Sequence, residues 1–181
     1  MIYYKKYDES GALHHEWYRK SIPWYKEVAD LCVSRAIGKT ALDLGCGDGL
    51  VCKLLLKAGY AVCGVDSNKK GLELAKELAP AGTYIKADLD KYSSNWVYDY
   101  MVCLNTIEHV ENPKNIVKIF KDSVVKRGLI ITDQKIEGRE IKSHHFQEFN
   151  IKELKELFKD FICREIKLKT PLFIALEVSK K

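Results

Sequence analysis

The stretch Ala41-Leu42-Asp43-Leu44-Gly45-Cys46-Gly47-Asp48-Gly49 decides how the rest of the chain is read. The apolar residues up to Leu44 describe a short strand. The glycines at 45, 47 and 49 describe a tight turn in which backbone can approach a ligand without side chains in the way. The run Leu50-Val51-Cys52-Lys53-Leu54-Leu55-Leu56-Lys57 then takes up helical spacing. Strand, glycine turn and helix in that order place a ligand loop at the carboxyl end of a strand in an open α/β sheet.

Working outward, short β-branched runs alternate with helical patterns from about residue 24, the signature of a mainly parallel sheet flanked by helices. Strands are expected at 40–45, 60–65, 83–87, 98–104, 128–132, 161–168 and 172–178. Helices are expected near 24–36, 49–58, 68–79, 113–124 and 150–160. Pro113 suits a first helical turn, Gly59 a helix end, Ser67 or Asn68 a cap, and Asn150 with Glu153 a capping box. Only about three residues, Lys169-Thr170-Pro171, separate the last two strands, which leaves no room for a crossover and requires an antiparallel hairpin. The expectation is one α/β domain over residues 1–181, with an amino-terminal helical lid segment at 1–38 and a core at 39–181.

Composition excludes several classes. With 46% hydrophobic and 30% charged residues the chain is neither disordered nor fibrous. The formal charge of +5 comes from lysines that alternate with acids, as in residues 150–160, and reads first as solvated helix faces. The six cysteines form no Cys-x-x-Cys pair, which fits a reducing compartment. The opening residues are charged and lack the apolar run of a signal peptide, and no run approaches the roughly 18 apolar residues of a membrane span. A soluble, cytoplasmic protein is therefore expected.

Acidic residues narrow the ligand. A dinucleotide turn of the form Gly-x-Gly-x-x-Gly would need glycine at position 50, where this chain has leucine. Asp43 and Asp48 also put negative charge where a pyrophosphate would be repelled, while a sulfonium with a zwitterionic tail tolerates that field. Val65-Asp66-Ser67 ends the second expected strand with an acid able to accept from ribose hydroxyls, although dinucleotide enzymes use the same device. Lys86-Ala87-Asp88-Leu89 ends the third with an acid able to accept an adenine amino group.

These segments, with Leu104-Asn105-Thr106-Ile107-Glu108-His109-Val110-Glu111-Asn112-Pro113, resemble the class I S-adenosylmethionine-dependent methyltransferases over roughly residues 15–160. Glu-His-Val-x-x-Pro is similar to the branch containing ubiquinone-biosynthesis and related small-molecule methyltransferases. The resemblance implies a Rossmann-like sandwich with a seven-stranded, mainly parallel sheet and one antiparallel strand in the terminal hairpin. It implies S-adenosylmethionine as cofactor and S-adenosylhomocysteine as product. Gly45, Cys46 and Gly47, preceded by Asp43, would approach the methionine part; Asp66 and Ser67 would hold the ribose. Asp88 and Leu89 would meet adenine, Leu104 and Asn105 the ammonium group, and Arg19 the carboxylate.

The acceptor side is less determined. Methyl transfer is an in-line displacement in which a base is optional. His109, just after the fourth strand, is the candidate base, with helix packing as its structural alternative; Glu108 is equally open. His145, in Ser143-His144-His145-Phe146-Gln147-Glu148-Phe149-Asn150, is the second candidate on the acceptor side. These groups resemble in part the metal-binding pattern of the family that methylates the 2′-hydroxyl at the 3′ end of small RNAs. Asn105 stands where that pattern has a glutamate, so no metal is expected. An O- or N-methyltransferase for a small-molecule acceptor is the leading expectation. An RNA 2′-O-methyltransferase and an inactive cofactor-binding partner subunit are the alternatives. Tyr3, Tyr4 and Tyr7 are candidates for part of a lid.

Overall fold

The computed structural model describes residues 13–181, so the tyrosines at 3, 4 and 7 lie outside the described residues. Among the described residues two helices, α1 (His14–Arg19) and α2 (Pro23–Ser34), precede the sheet. Then follow β1 (Thr40–Leu44), α3 (Leu50–Lys57), β2 (Ala61–Asp66), α4 (Lys69–Leu78), β3 (Thr83–Lys86) and β4 (Tyr98–Leu104). A 3-10 turn, Ile107–His109, leads to α5 (Lys114–Ser123), β5 (Val124–Asp133), α6 (Ile151–Leu157), β6 (Ile162–Ile166) and β7 (Phe173–Ser179).

The seven strands form one sheet in the order β3-β2-β1-β4-β5-β7-β6. Pairings from β3 through β5 are parallel, and β7 runs antiparallel to both β5 and β6. The order reverses between β1 and β4, which puts the ligand crevice beyond their carboxyl ends. The expected architecture is thus the one observed. The expected start of the fifth strand at 128 is corrected to Val124, because α5 passes directly into β5 and Val124 pairs with Tyr98.

Side chains of successive strand residues leave opposite faces, and here both faces are covered. On one, Ala41, Tyr100, Val102, Leu129 and Ile131 meet α2 and α3 through Val28, Cys32, Cys52 and Leu55. On the other, Leu42, Leu44, Met101, Cys103 and Ile130 meet Ile116, Ile119 and Phe120 of α5 and Leu154 of α6. Caps mark the helix starts: Asn68 Oδ1 accepts from Gly71 N at 2.7 Å, and Asn150 with Glu153 forms the expected capping box. All six cysteines are free thiols. Among the described residues no helix is long and apolar enough to cross a membrane.

The two central strands are also tied at their far ends. Asp99 accepts from the backbone amides of Lys39 at 2.7 Å and Thr40 at 3.2 Å, and pairs with Lys126 Nζ at 2.8 Å. These donors hold its carboxyl down at about 2, with the lysine contributing most. A carboxyl whose folded pKa lies below the unfolded value near 3.9 contributes stability that is whole above about pH 5 and lost as pH falls through about 2. Asp99→Asn is therefore expected to lower unfolding free energy at pH 7 by about 1–2 kcal/mol, the scale of hydrogen bonds to a charged acceptor reduced by partial exposure. Urea titrations at pH 7, 4 and 2.5 check this; the gap between wild type and variant must shrink toward the acid end.

Candidate active site

The loop after β1 is hooked onto the end of β2. Gly45 N and Cys46 N both donate to Val65 O, at 2.8 and 3.1 Å, and Gly47 N donates to Asp66 Oδ2 at 2.8 Å. The second oxygen of Asp66 accepts from Asn68 N at 2.8 Å, so one buried carboxylate spans the loop and the start of α4. Burial raises the Asp66 pKa, and the amides of Asn68 and Gly47 oppose that rise. Glycine is required at 45, where φ is +72° and an added Cβ would stand 2.1 Å from Thr106 Oγ1. It is required again at 64, where a Cβ would meet the thiols of Cys46 and Cys52 at 2.8 and 3.0 Å.

A cavity of about 530 Å³ opens beyond the strand ends, inside the range of about 300–1,000 Å³ usual for small-molecule sites. Gly45, Asp66, Ser67, Asp88, Leu89 and Asn105 line it, so the structure brings these expected cofactor residues together. Asn105 sits at φ +48° with its side-chain Oδ1 buried and unpartnered, an acceptor placed for a donor such as an ammonium group. Asp88 is exposed, and its Oδ1 accepts from Asp90 N at 3.0 Å in a turn of its own. This set of acceptors fits a ligand that presents hydroxyl, amino and ammonium donors.

Other expected residues stand elsewhere. Cys46, Gly47 and Leu104 shape the backbone behind the cavity and do not line it. Asp43 is sealed beneath the loop, where Cys52 Sγ donates to its Oδ2 at 3.2 Å and burial pushes its pKa up to about 7. Arg19 projects from α1 into solvent and pairs with Glu16 at 2.8 Å. From the amino-terminal segment the cavity receives His14 and Trp17. The reason is the helical turn, which carries Arg19 away from the face that docks. Docking rests on Asp48, whose buried carboxylate accepts from His15 N at 2.9 Å and faces His15 Nδ1 at 2.7 Å.

His109 and His145 both reach the cavity from the opposite side, joined by Glu108, Asp133 and His144. Segment 143–149 is laid against the 3-10 turn by Phe146 N, which donates to Glu108 O at 2.9 Å, and by Gln147 Nε2, which donates to Val110 O at 2.8 Å. The His109 and His145 rings then meet edge to face at 4.8 Å between centroids. Burial lowers the His109 pKa to about 4, despite its Nδ1 contact with the His144 carbonyl at 2.9 Å. Burial raises Glu108 to about 7. His145 Nδ1 is 2.9 Å from Glu148 Oε1, and its Nε2 is 3.4 Å from Asp133 Oδ2.

Trp24 and Phe173, which carried no sequence signal, complete the walls with Trp17 of the expected amino-terminal lid segment. Trp17, Trp24 and Phe173 form an aromatic face, with ring centroids 5.9 Å apart for Trp17–Trp24 and 5.7 Å for Trp24–Phe173. Asp90 accepts from Glu111 N and Asn112 N at 3.2 and 2.7 Å, fixing the loop after β3 to the loop after β4.

Asp48→Ala is expected to release α1 from the glycine loop and to cost about 1–3 kcal/mol through the donors left unpaired. Hydrogen exchange checks this: amides of residues 14–19 should exchange at least about tenfold faster while those of β1 and β4 keep their protection.

A family model described as a methyltransferase domain matches residues 18–161. The ubiquinone biosynthesis O-methyltransferase of Vibrio vulnificus strain YJ016 is 31% identical over 126 residues, covering 65% of this chain and 53% of that protein. The chain spans about half the length of the curated relatives it matches. The crystal structure of the PH0226 protein from Pyrococcus horikoshii superposes with a TM-score of 0.75 at 20% identity, over 100% of this chain and 99% of that one. Magnesium protoporphyrin IX methyltransferase from Synechocystis, solved with S-adenosylmethionine bound, gives 0.66 at 17% identity over 86% and 77% of the two chains. With its glycine loop, reversed strand order and antiparallel seventh strand, the chain belongs to the methyltransferase-domain family and has the class I S-adenosylmethionine-dependent methyltransferase fold.

Proposed function

We propose that this chain transfers the methyl group of S-adenosylmethionine to an oxygen atom of a small-molecule acceptor. The observation that carries the reading is one continuous cavity whose near wall is the glycine loop with Asp66 and Asn105 and whose far wall is His109, His145 and Glu108. The near half has the acceptors a nucleoside with an amino-acid tail requires: Asp66 for the ribose, the segment Asp88-Leu89 for adenine, Asn105 for the ammonium group. Gly45 and its neighbours let the methionine part approach backbone. The cofactor supplies an electrophilic methyl on a sulfonium, and the chain supplies alignment and a site shielded from water.

Oxygen is favoured as the atom methylated because the far wall offers polar groups that receive a hydroxyl. His109 and His145 line that half, and the His145 ring stands between Glu148, 2.9 Å from its Nδ1, and Asp133, 3.4 Å from its Nε2, with burial lowering its pKa. The Vibrio relative, by its name an O-methyltransferase, supports the same choice. The flat faces of Trp17, Trp24 and Phe173 suit an acceptor with a ring.

Calorimetric titration with S-adenosylhomocysteine, followed by transfer of labelled methyl to phenols, sugars and RNA, tests the reading. Binding with labelling of a hydroxylated small molecule is expected; binding without any transfer would overturn it in favour of a cofactor-binding subunit. Asp66→Ala is expected to weaken S-adenosylhomocysteine by about 1–3 kcal/mol, the scale of hydrogen bonds to a charged group, with part of the loss arising in the Gly47 loop it holds. His109→Ala is expected to lower turnover about tenfold or more while affinity for S-adenosylhomocysteine stays within about twofold.

A further inference from the structure

Arg19 faces solvent, and the residue that the amino-terminal segment brings to the loop side of the cavity is His14. We propose that cofactor binding is coupled to a proton: His14 takes one up and, as an imidazolium, holds the carboxylate of the cofactor's amino-acid tail. This assignment rests on the transferase reading, which puts that tail beside the glycine loop. A guanidinium is charged at every working pH, whereas an imidazole has to gain its charge, and that difference makes binding depend on pH.

The charge balance around the loop supplies the first reason. Asp43, Asp48 and Asp66 are all buried there. Among the described residues their hydrogen-bond donors are backbone amides, the Cys52 thiol and the His15 ring. A further carboxylate entering this region is repelled unless positive charge comes with it. Lys142 also lines the cavity, but it is paired with Asp133, which His145 faces on the acceptor wall. His14 stands on the other side, against the loop itself.

Placement supplies the second. The His14 ring stacks on Tyr25 at 5.3 Å between centroids and meets Trp17 edge to face at 5.4 Å. Its Nδ1 stands 3.9 Å from Asp48 Oδ1, which leaves Nε2 as the nitrogen for a ligand in the cavity. The side chain keeps 24% of its surface open, enough for one further contact and too little for full hydration of a charge. With a ligand carboxylate at Nε2, the imidazolium would lie between that group and Asp48, each favouring its charged form.

The sign of the linkage follows. In the empty site burial holds His14 below the usual imidazole range, Asp48 and Asp66 oppose that, and His15 adds to it. These groups, with the rings of Trp17 and Tyr25, face His14 from the loop after β1, the end of β2, α1 and α2. The ring is therefore mainly neutral at pH 7 in the free protein. An arriving carboxylate raises its pKa, so one proton moves from solvent to the imidazole while no bond in the ligand changes. Affinity is then full below the free-state pKa and declines as pH rises through the bound-state value.

The test titrates the whole chain by calorimetry at pH 6, 7 and 8, in buffers of different ionisation enthalpy. The two ligands are S-adenosylhomocysteine and its decarboxylated analogue, which keeps the adenosine, the sulfur and the amine. In wild type, S-adenosylhomocysteine is expected to take up about half a proton more than the analogue at pH 7 and to lose about fivefold or more in affinity from pH 6 to 8. In His14→Gln the difference in proton uptake is expected to vanish; at pH 6 S-adenosylhomocysteine weakens about fivefold or more and the analogue stays within about twofold. Equal proton uptake for the two ligands in wild type, or an unchanged difference in the variant, overturns the proposal. If the variant does not fold, the wild-type comparison decides alone. No binding of S-adenosylhomocysteine at any pH overturns the transferase reading as well, whereas binding that does not vary with pH overturns only the proton coupling.

Discussion

The site depends on one buried carboxylate. Asp66 ends β2 and accepts simultaneously from Gly47 in the neighbouring loop and from Asn68 at the start of α4. Together with the two amides that Gly45 and Cys46 give to Val65 O, it converts a glycine-rich stretch that would otherwise sample many conformations into a single hook. Removing a charge from water is costly, and two short amide contacts offset that cost. The side chain proposed to meet a ribose is thus also the one that shapes the loop.

From that hook the cavity grows in two directions. Asp48, in the same loop, draws in α1 through His15, so His14 and Trp17 become wall residues and the aromatic face of Trp17, Trp24 and Phe173 closes one side. On the other side the short turn after β4 exposes its Glu108 carbonyl to the amide of Phe146, and this contact carries His144 and His145 to His109. Apart from strand-end residues such as Asp66, Asp133 and Phe173, the walls come from segments outside the sheet. The sheet supplies the floor, and long-range polar contacts decide what stands on it. That division matches the general placement of binding groups on loops carried by a rigid scaffold.

Much of the fold was legible along the chain because each element carries a local signal. The short β-branched runs, the glycine turn and the short gap expected between the last two strands depend on neighbours in sequence, and they led to the observed sheet with its one antiparallel strand. Asn150 and Glu153 were readable for the same reason, since a capping box closes within one helical turn. The start of β5 was not, because Val124 belongs to the strand only through its pairing with Tyr98.

In the site, the acids at successive strand ends were legible because a strand end is a local feature that the topology places at the crevice. Local sequence could not say that Arg19 faces solvent, that Asp43 is sealed under Cys52, or that Trp24 and Phe173 meet across 149 positions. Nor could it bring polar atoms of Glu108, His109 and His145 within 4.8 Å of one another, a gathering that spans 37 positions and rests on the amide of Phe146. By itself the sequence determined the sheet, the glycine loop and the acids that flank it, since these follow from local periodicity and turn chemistry. Only the tertiary structure decided which side chains face the cavity, because that choice is made by contacts between residues far apart in the chain.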